Sequence, residues 1–398
     1  MRSKLINQLS PEENLLISLC RLHFTDAQKQ ELKDLVKTVT NWDHFIFLAN
    51  GHGVIAICSH NLAGTGCDNY VPGKYVELMR AAYLKSMTRN IFLKNLLVEI
   101  ADLAGRENIN IIPLKGNALE EMIYGNKGLR QISDIDILVE PDKANHLRNI
   151  LLANGYRSLP LISPLHQSML PFLKAHLPSM EKNGAVVEIH TRLTEQNSNS
   201  LAEEFFENAT IPYENLPNLY WPDPQKHFIY LIKHLVRHEN TKDLKLKSYL
   251  DLAVLSNAFG KKIINDRLFE YARIFRIEEI ILEKLCILKL LWNIHFPEII
   301  EKAIMFTDYD QYIRQVASFI KDPFRENRNK KHQNLLSPLK SVPGMKNKVI
   351  FFVGYLVPSL TYMKYFYNTD SKAAAILFYP VRWWNIISLS PGKKGLRI

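Results

Sequence analysis

Cysteine is scarce in this chain. Cys20, Cys58, Cys67 and Cys286 are scattered over 398 residues. No pair has metal-ligand spacing and no disulfide framework is readable, so a reducing cytoplasm is the compartment expected. There is no Walker-type phosphate loop, no Gly-x-Gly-x-x-Gly fingerprint and no Gly-x-Ser-x-Gly elbow. Those absences count against P-loop, Rossmann and α/β-hydrolase chemistry. No signal peptide is expected, because Ser10-Pro11-Glu12-Glu13 interrupts the first residues early. Ser10 and Glu13 read instead as a helix capping box. Acidic residues are missing from one region in particular. Residues 323–398 hold thirteen Lys or Arg against only Glu326 and Asp370, a net +11, which leaves −1 of the formal +10 for the rest.

What is present is an ordinary apolar share of 47%, enough for a full core. The length suits two or three packed units. We read four regions: a helical 1–104 packing on a central unit, that central unit at 105–215, a helical 216–322 and a basic, partly apolar 323–398. In the first, Leu93, Leu96, Leu97, Ile100 and Leu103 recur at helical spacing, with loops near Trp42 and Gly64-Thr65-Gly66.

The most informative segment is Ser133-Asp134-Ile135-Asp136-Ile137-Leu138-Val139. A strand repeats every two residues, so Asp134 and Asp136 leave one face while Ile135 and Ile137 enter a core. Two adjacent like charges repel, and such a pair is expected to hold a cation. Upstream, Ile109–Leu114 reads as a short buried strand running into Lys115-Gly116-Asn117 and a helix over 117–124. Helix N-terminal amides attract anions, Lys115 adds charge, and Gly116 admits close backbone approach. Arg130, in the loop Gly125–Ile132, can fork onto phosphate. Downstream, a helix opens at Glu140-Pro141-Asp142 and stops at Asn154-Gly155. A hairpin follows, with arms near 172–180 and 185–193 around Glu181-Lys182-Asn183-Gly184. Val187 and Ile189 share one side of its second arm, and Val186, Glu188 and His190 the other. Glu188 needs a reason to be there. His190 alone reads as a satisfied core or rim histidine.

Lys115-Gly116, Gly128-Leu129-Arg130, Asp134-Ile135-Asp136 and Val187-Glu188-Ile189-His190 together resemble the nucleotidyltransferase superfamily that includes DNA polymerase β. More narrowly, they resemble a bacterial family of uncharacterised nucleotidyltransferases, and the resemblance runs on through His234 to Asp251 and weakly to Pro358-Ser359-Leu360. It departs in having Asn117 where Ser is usual and Glu188 where Asp is common. The resemblance implies an α+β fold: a small mixed sheet embedded among N- and C-terminal helices. It also implies Mg²⁺-dependent (alternatively Mn²⁺-dependent) transfer of a nucleoside monophosphate from a nucleoside triphosphate such as ATP to a hydroxyl acceptor, releasing pyrophosphate. Asp134, Asp136 and Glu188 would be the catalytic and metal-binding residues. Lys115, Gly116, Asn117 and Arg130 would cradle the nucleotide. Two rivals stand beside this. A metal-dependent glycosyltransferase would use the Asp-x-Asp for a sugar nucleotide, but leaves Glu188 unexplained. A non-catalytic nucleotide-sensing or partner-binding protein would keep the scaffold.

His234 and His238 lie four apart on a helix, as zinc ligands can, but without the intervening Glu of a zinc protease they read as a polar wall. Asp251 either supports the site or braces helices. In the basic tail, 327–334 reads as an exposed linker. The run Val349–Pro358 is short and broken by Gly354 and Pro358, so it is expected to fold against the body rather than span a membrane. Its basic flanks leave contact with an anionic membrane surface or an acidic partner as the alternative. Nucleic acid as partner has no recognisable module to support it.

Overall fold

A computed structural model describes residues 2–193, 205–206, 212–213, 216–240, 244–274, 277–305, 309–323, 339 and 342–387. Its centre is a mixed sheet. The strands are β1 (Ile111–Pro113), β2 (Asp134–Val139), β3 (Arg157–Ser158), β4 (Met180–Lys182), β5 (Ala185–His190), β6 (Pro212–Tyr213) and β7 (Leu216–Tyr220). They lie in the order β3-β4-β5-β2-β1-β7-β6. β2 runs antiparallel to β1 and parallel to β5, and β1 runs parallel to β7. The expected α+β architecture is what forms.

The alternation read in β2 and β5 separates two cores. Ile135, Ile137, Val139, Val187 and Ile189 face a core closed by Leu93, Leu96, Leu97 and Ile100 and by Ala144, Leu147 and Leu151. Those residues belong to the helices Gly73–Gly105 and Pro141–Ala153. Leu138, Ile112 and Leu114 belong to a larger core with Phe45, Leu48, Phe228, Leu250 and Leu285. The helices preceding the sheet and those following it therefore share one interior. The 33-residue Gly73–Gly105 helix, about 50 Å at 1.5 Å per residue, contributes to both: Tyr75 and Met79 to one, Leu93 to Leu103 to the other.

Local signals were mostly sound. The Ser10–Glu13 capping box is complete. Trp42 opens a helix, capped by Asn41, rather than lying in a loop. Asn183 and Gly184 both take left-handed φ (51° and 78°), the geometry a two-residue hairpin turn requires. The first hairpin arm is much shorter than 172–180. Leu170–Leu173 is a helical turn, His176 makes a single bridge to His190, and pairing resumes only at Met180. Pro171 and Pro178 remove ladder donors from that stretch, which explains the truncation. The helix after β1 starts at Lys115, two residues before the expected position, and ends in a π turn over Glu120–Tyr124.

Val349–Pro358 falls largely within the helix Met345–Leu356, which folds against the Pro164–Met169 turn. His166 stacks on Phe351 at 4.6 Å and hydrogen-bonds its carbonyl at 2.9 Å. The 327–334 stretch lies outside the described residues. Among the described residues no single helix is long and apolar enough to cross a membrane; Met345–Leu356 and Leu360–Phe366 qualify only together, across a 53° bend.

Candidate active site

Parallel pairing sets β2 and β5 in register: Asp134 opposite Val186, Asp136 opposite Glu188, Leu138 opposite His190. Register partners on adjacent strands point to the same face. Asp136, Glu188 and His190 thereby converge, each offering a ligand atom within 4.8 Å of the others. His190 Nε2 is 2.9 Å from Asp136 Oδ1 and 3.6 Å from Glu188 Oε2. Glu188 also accepts from Ser179 Oγ at 3.2 Å, with His176 Nε2 at 3.5 Å. Asp134 shares the face, but its carboxylate accepts from Ser133 Oγ and lies outside that trio.

Electrostatics distinguishes the carboxylates. Burial works against the charge of Asp136, yet Lys115 and His190 outweigh it and hold the group well below the usual carboxylate range. Glu188 is likewise opposed by burial but drawn down to about 2 by His190 and His176. Asp134 moves the other way: burial and the neighbouring Asp136 raise it. His190 is raised against its burial by hydrogen bonds to Asp136 and Glu188. Its buried Nδ1 has no hydrogen-bond partner among the described residues.

The strand-turn-helix beside this face is bound tightly to it. Lys115 has φ 51°; its Nζ donates to Asp136 Oδ1 at 2.8 Å and its backbone N–H to His227 Nε2 at 3.1 Å. Burial and Arg130 push His227 down to about 3, keeping it a neutral acceptor. Asn117 donates to the Asp134 carbonyl at 2.9 Å. Gly116 is needed for space rather than for φ. A β-carbon there would lie 2.0 Å from an Arg130 guanidinium nitrogen. Arg130 forks onto Asp251 at 2.9 and 2.7 Å, and Tyr124 donates to the same carboxylate at 2.9 Å. Of the two roles weighed for Asp251, bracing is the one these contacts display. Lys247, one turn before Asp251, is lowered to about 8 by burial and Arg130.

His234 and His238 share a face, with Nε2 atoms 3.3 Å apart. All four cysteines are buried, and none forms a disulfide. His190, read from the sequence as structural, sits at the centre of the cluster. His176, His227 and Lys247 went unread. The period-two pattern put His190 on the Glu188 face, but only the parallel pairing with β2 reveals its contact with Asp136.

Carboxylates on paired strands of a small mixed sheet, beside a Lys-Gly turn that opens a helix, define a nucleotidyltransferase fold. The chain belongs to the family described as uncharacterised nucleotidyltransferase, whose model matches residues 38–293. No curated protein and no solved structure matches it.

Proposed function

We propose that this protein transfers a nucleoside monophosphate from a nucleoside triphosphate to a hydroxyl acceptor, with pyrophosphate leaving. The observation carrying this reading is the register of Asp136 with Glu188 on parallel strands, on the face shared by Asp134 and next to Lys115-Gly116.

The donor set fits a divalent cation. Asp134, Asp136 and Glu188 offer the oxygen ligands Mg²⁺ prefers, and His190 would add a nitrogen that Mn²⁺ accepts more readily. A bound divalent ion would supply charge neutralisation at the phosphate oxygens. The chain's own residues do the rest. Lys115 places an ammonium at the carboxylates, where an anionic triphosphate would be held. Arg130 and Asp251 fix the turn from behind and act by positioning. His190 and His176 keep Glu188 ionised, as a metal ligand or a general base for the acceptor hydroxyl must be.

Titration of the purified chain with each of the four nucleoside triphosphates, with and without Mg²⁺, tests the reading. Mg²⁺-dependent binding that is lost in Asp134→Ala/Asp136→Ala is expected. No binding by the intact protein at millimolar nucleotide would overturn it, and binding of a sugar nucleotide instead would favour the glycosyltransferase.

A further inference from the structure

The last three described helices bury Phe351, Met363 and Ala375 yet also carry large apolar side chains outward. Thirteen of the twenty-two exposed large hydrophobic side chains among the described residues lie between 345 and 384. Leu377 is 73% exposed and Trp384 71%, while Arg382 between them is only 8% exposed. Arg382 turns inward, donating to the Tyr355 carbonyl and lying over the rings of Tyr355, Tyr362 and Phe366. A helix packed for water does the reverse.

The outward residues form continuous stripes. Met345, Val349 and Phe352 recur at helical spacing on Met345–Leu356, and Ile376, Leu377 and Trp384 occupy Lys372–Ile387. The inward face of Met345–Leu356 is already used. Gly354 is so close to the body that a β-carbon would lie 2.6 Å from His166 Nε2. Ser359 N–H donates to the Ile162 carbonyl at 2.8 Å. The apolar stripes are therefore spare surface on a docked element.

We propose that this surface seats on an anionic lipid bilayer, with the helices lying in the interface rather than spanning it. Charge chooses this occupant. Leaving aside the inward Arg382, residues 342–387 contain Lys346, Lys348, Lys364 and Lys372 against the single acid Asp370, and the wider 323–398 region carries +11. Basic side chains beside Trp-bearing apolar stripes suit headgroups above and acyl chains below. The bend of 53° between Met345–Leu356 and Leu360–Phe366 favours lying in the interface over crossing it. The seat is coupled to the catalytic sheet. It grips 162–166, and that stretch runs on to His176, the bridge partner of His190. The inference does not depend on the reaction proposed above.

Flotation of the full chain with vesicles tests it, one set of phosphatidylcholine alone and one with phosphatidylglycerol added, at moderate and high salt. The expected result is binding to the anionic vesicles that weakens with salt and falls at least tenfold in Leu377→Glu/Trp384→Glu. Both positions are mostly exposed, and an unchanged circular-dichroism melt checks that the variant is folded. Ile274→Glu, an exposed apolar position elsewhere, is the control and should float like the native chain. Equal binding to both vesicle types would overturn the anionic seat. No binding to either, or a self-associated species that the Leu377/Trp384 variant abolishes without vesicle binding, would overturn the lipid occupant; the second would assign the surface to another copy of the chain.

Discussion

At Gly116 two effects of opposite sign meet. Alanine is the better helix former by about 1 kcal/mol, and Gly116 lies within the helix Lys115–Leu119 without a positive φ. Against that stands a β-carbon 2.0 Å from a guanidinium nitrogen that cannot swing away, because Asp251 holds Arg130 by two hydrogen bonds. Overpacking costs of about 1–3 kcal/mol exceed the helical gain. Gly116→Ala is therefore expected to lower the thermal midpoint and weaken nucleotide binding together. A raised midpoint with binding intact would show that the close approach is not a constraint. The same residue illustrates what a sequence can disclose. Lys-Gly before a helix marked the turn correctly, but the reason for the glycine is a side chain fourteen positions away that only tertiary packing brings in. That Asp134 and Asp136 share one face of their strand, and Glu188 and His190 one face of theirs, was legible because period two is local. The contact of His190 with Asp136 was not, because it depends on which strand lies beside it and in which direction.

Among the elements, the loop from Gly125 to Ile132 has little secondary structure of its own and is held by the long helix behind it. Asn90 Nδ2 donates to the carbonyls of Lys127 and Arg130, each at 2.7 Å. Tyr83 donates to Asn126, and its ring lies where a β-carbon on Gly128 would be. Arg89 reaches the Ser133 and Gly184 carbonyls, tying the start of β2 to the hairpin turn. Asn90→Leu would leave two carbonyls without their donor inside an almost fully buried site, a cost of about 2 kcal/mol. Limited proteolysis should then cut after Lys127 faster than in the native chain, while cleavage elsewhere is unchanged. An unaltered rate at Lys127 would mean that the helix does not hold the loop. The helix itself was readable from its leucine spacing; its grip on the loop was not, since a mid-helix Asn carries no periodic signal. The shortened first hairpin arm was foreseeable from Pro171 and Pro178, whose missing donors outweigh the apolar character that suggested a strand.

On the scale of the whole molecule, the question is what joins the N-terminal helices to those after the sheet, and His52 is one answer that pH can test. It is fully buried at the end of Trp42–Gly51. Its Nε2–H donates to the Ile320 carbonyl at 3.1 Å, and its Nδ1 accepts from the Leu246 N–H at 3.3 Å. One imidazole thus joins three helices widely separated in sequence. Both nitrogens are used only in the neutral tautomer; a proton on Nδ1 would face the Leu246 N–H. Burial is the main cause that lowers this histidine to about 4. In the unfolded chain it returns to the ordinary value near 6.5. Between those values the unfolded state binds a proton that the folded state refuses, so stability is complete above 6.5 and falls as pH drops toward 4. From pH 7 to 5 the loss through this one residue is about 2 kcal/mol. A glutamine can keep the carbonyl donor and the amide acceptor without titrating. His52→Gln should therefore be less stable than the native chain at pH 7 but lose about 2 kcal/mol less on moving to pH 5, as read from urea unfolding at both values. The other buried histidines, His227 among them, are common to both proteins and cancel in the comparison. Equal losses in the two proteins would mean that His52 is not held neutral by its burial, and that the joint between the two sets of helices, which also includes Trp292 Nε1–H donating to the Ile17 carbonyl at 3.1 Å, does not respond to pH through this imidazole.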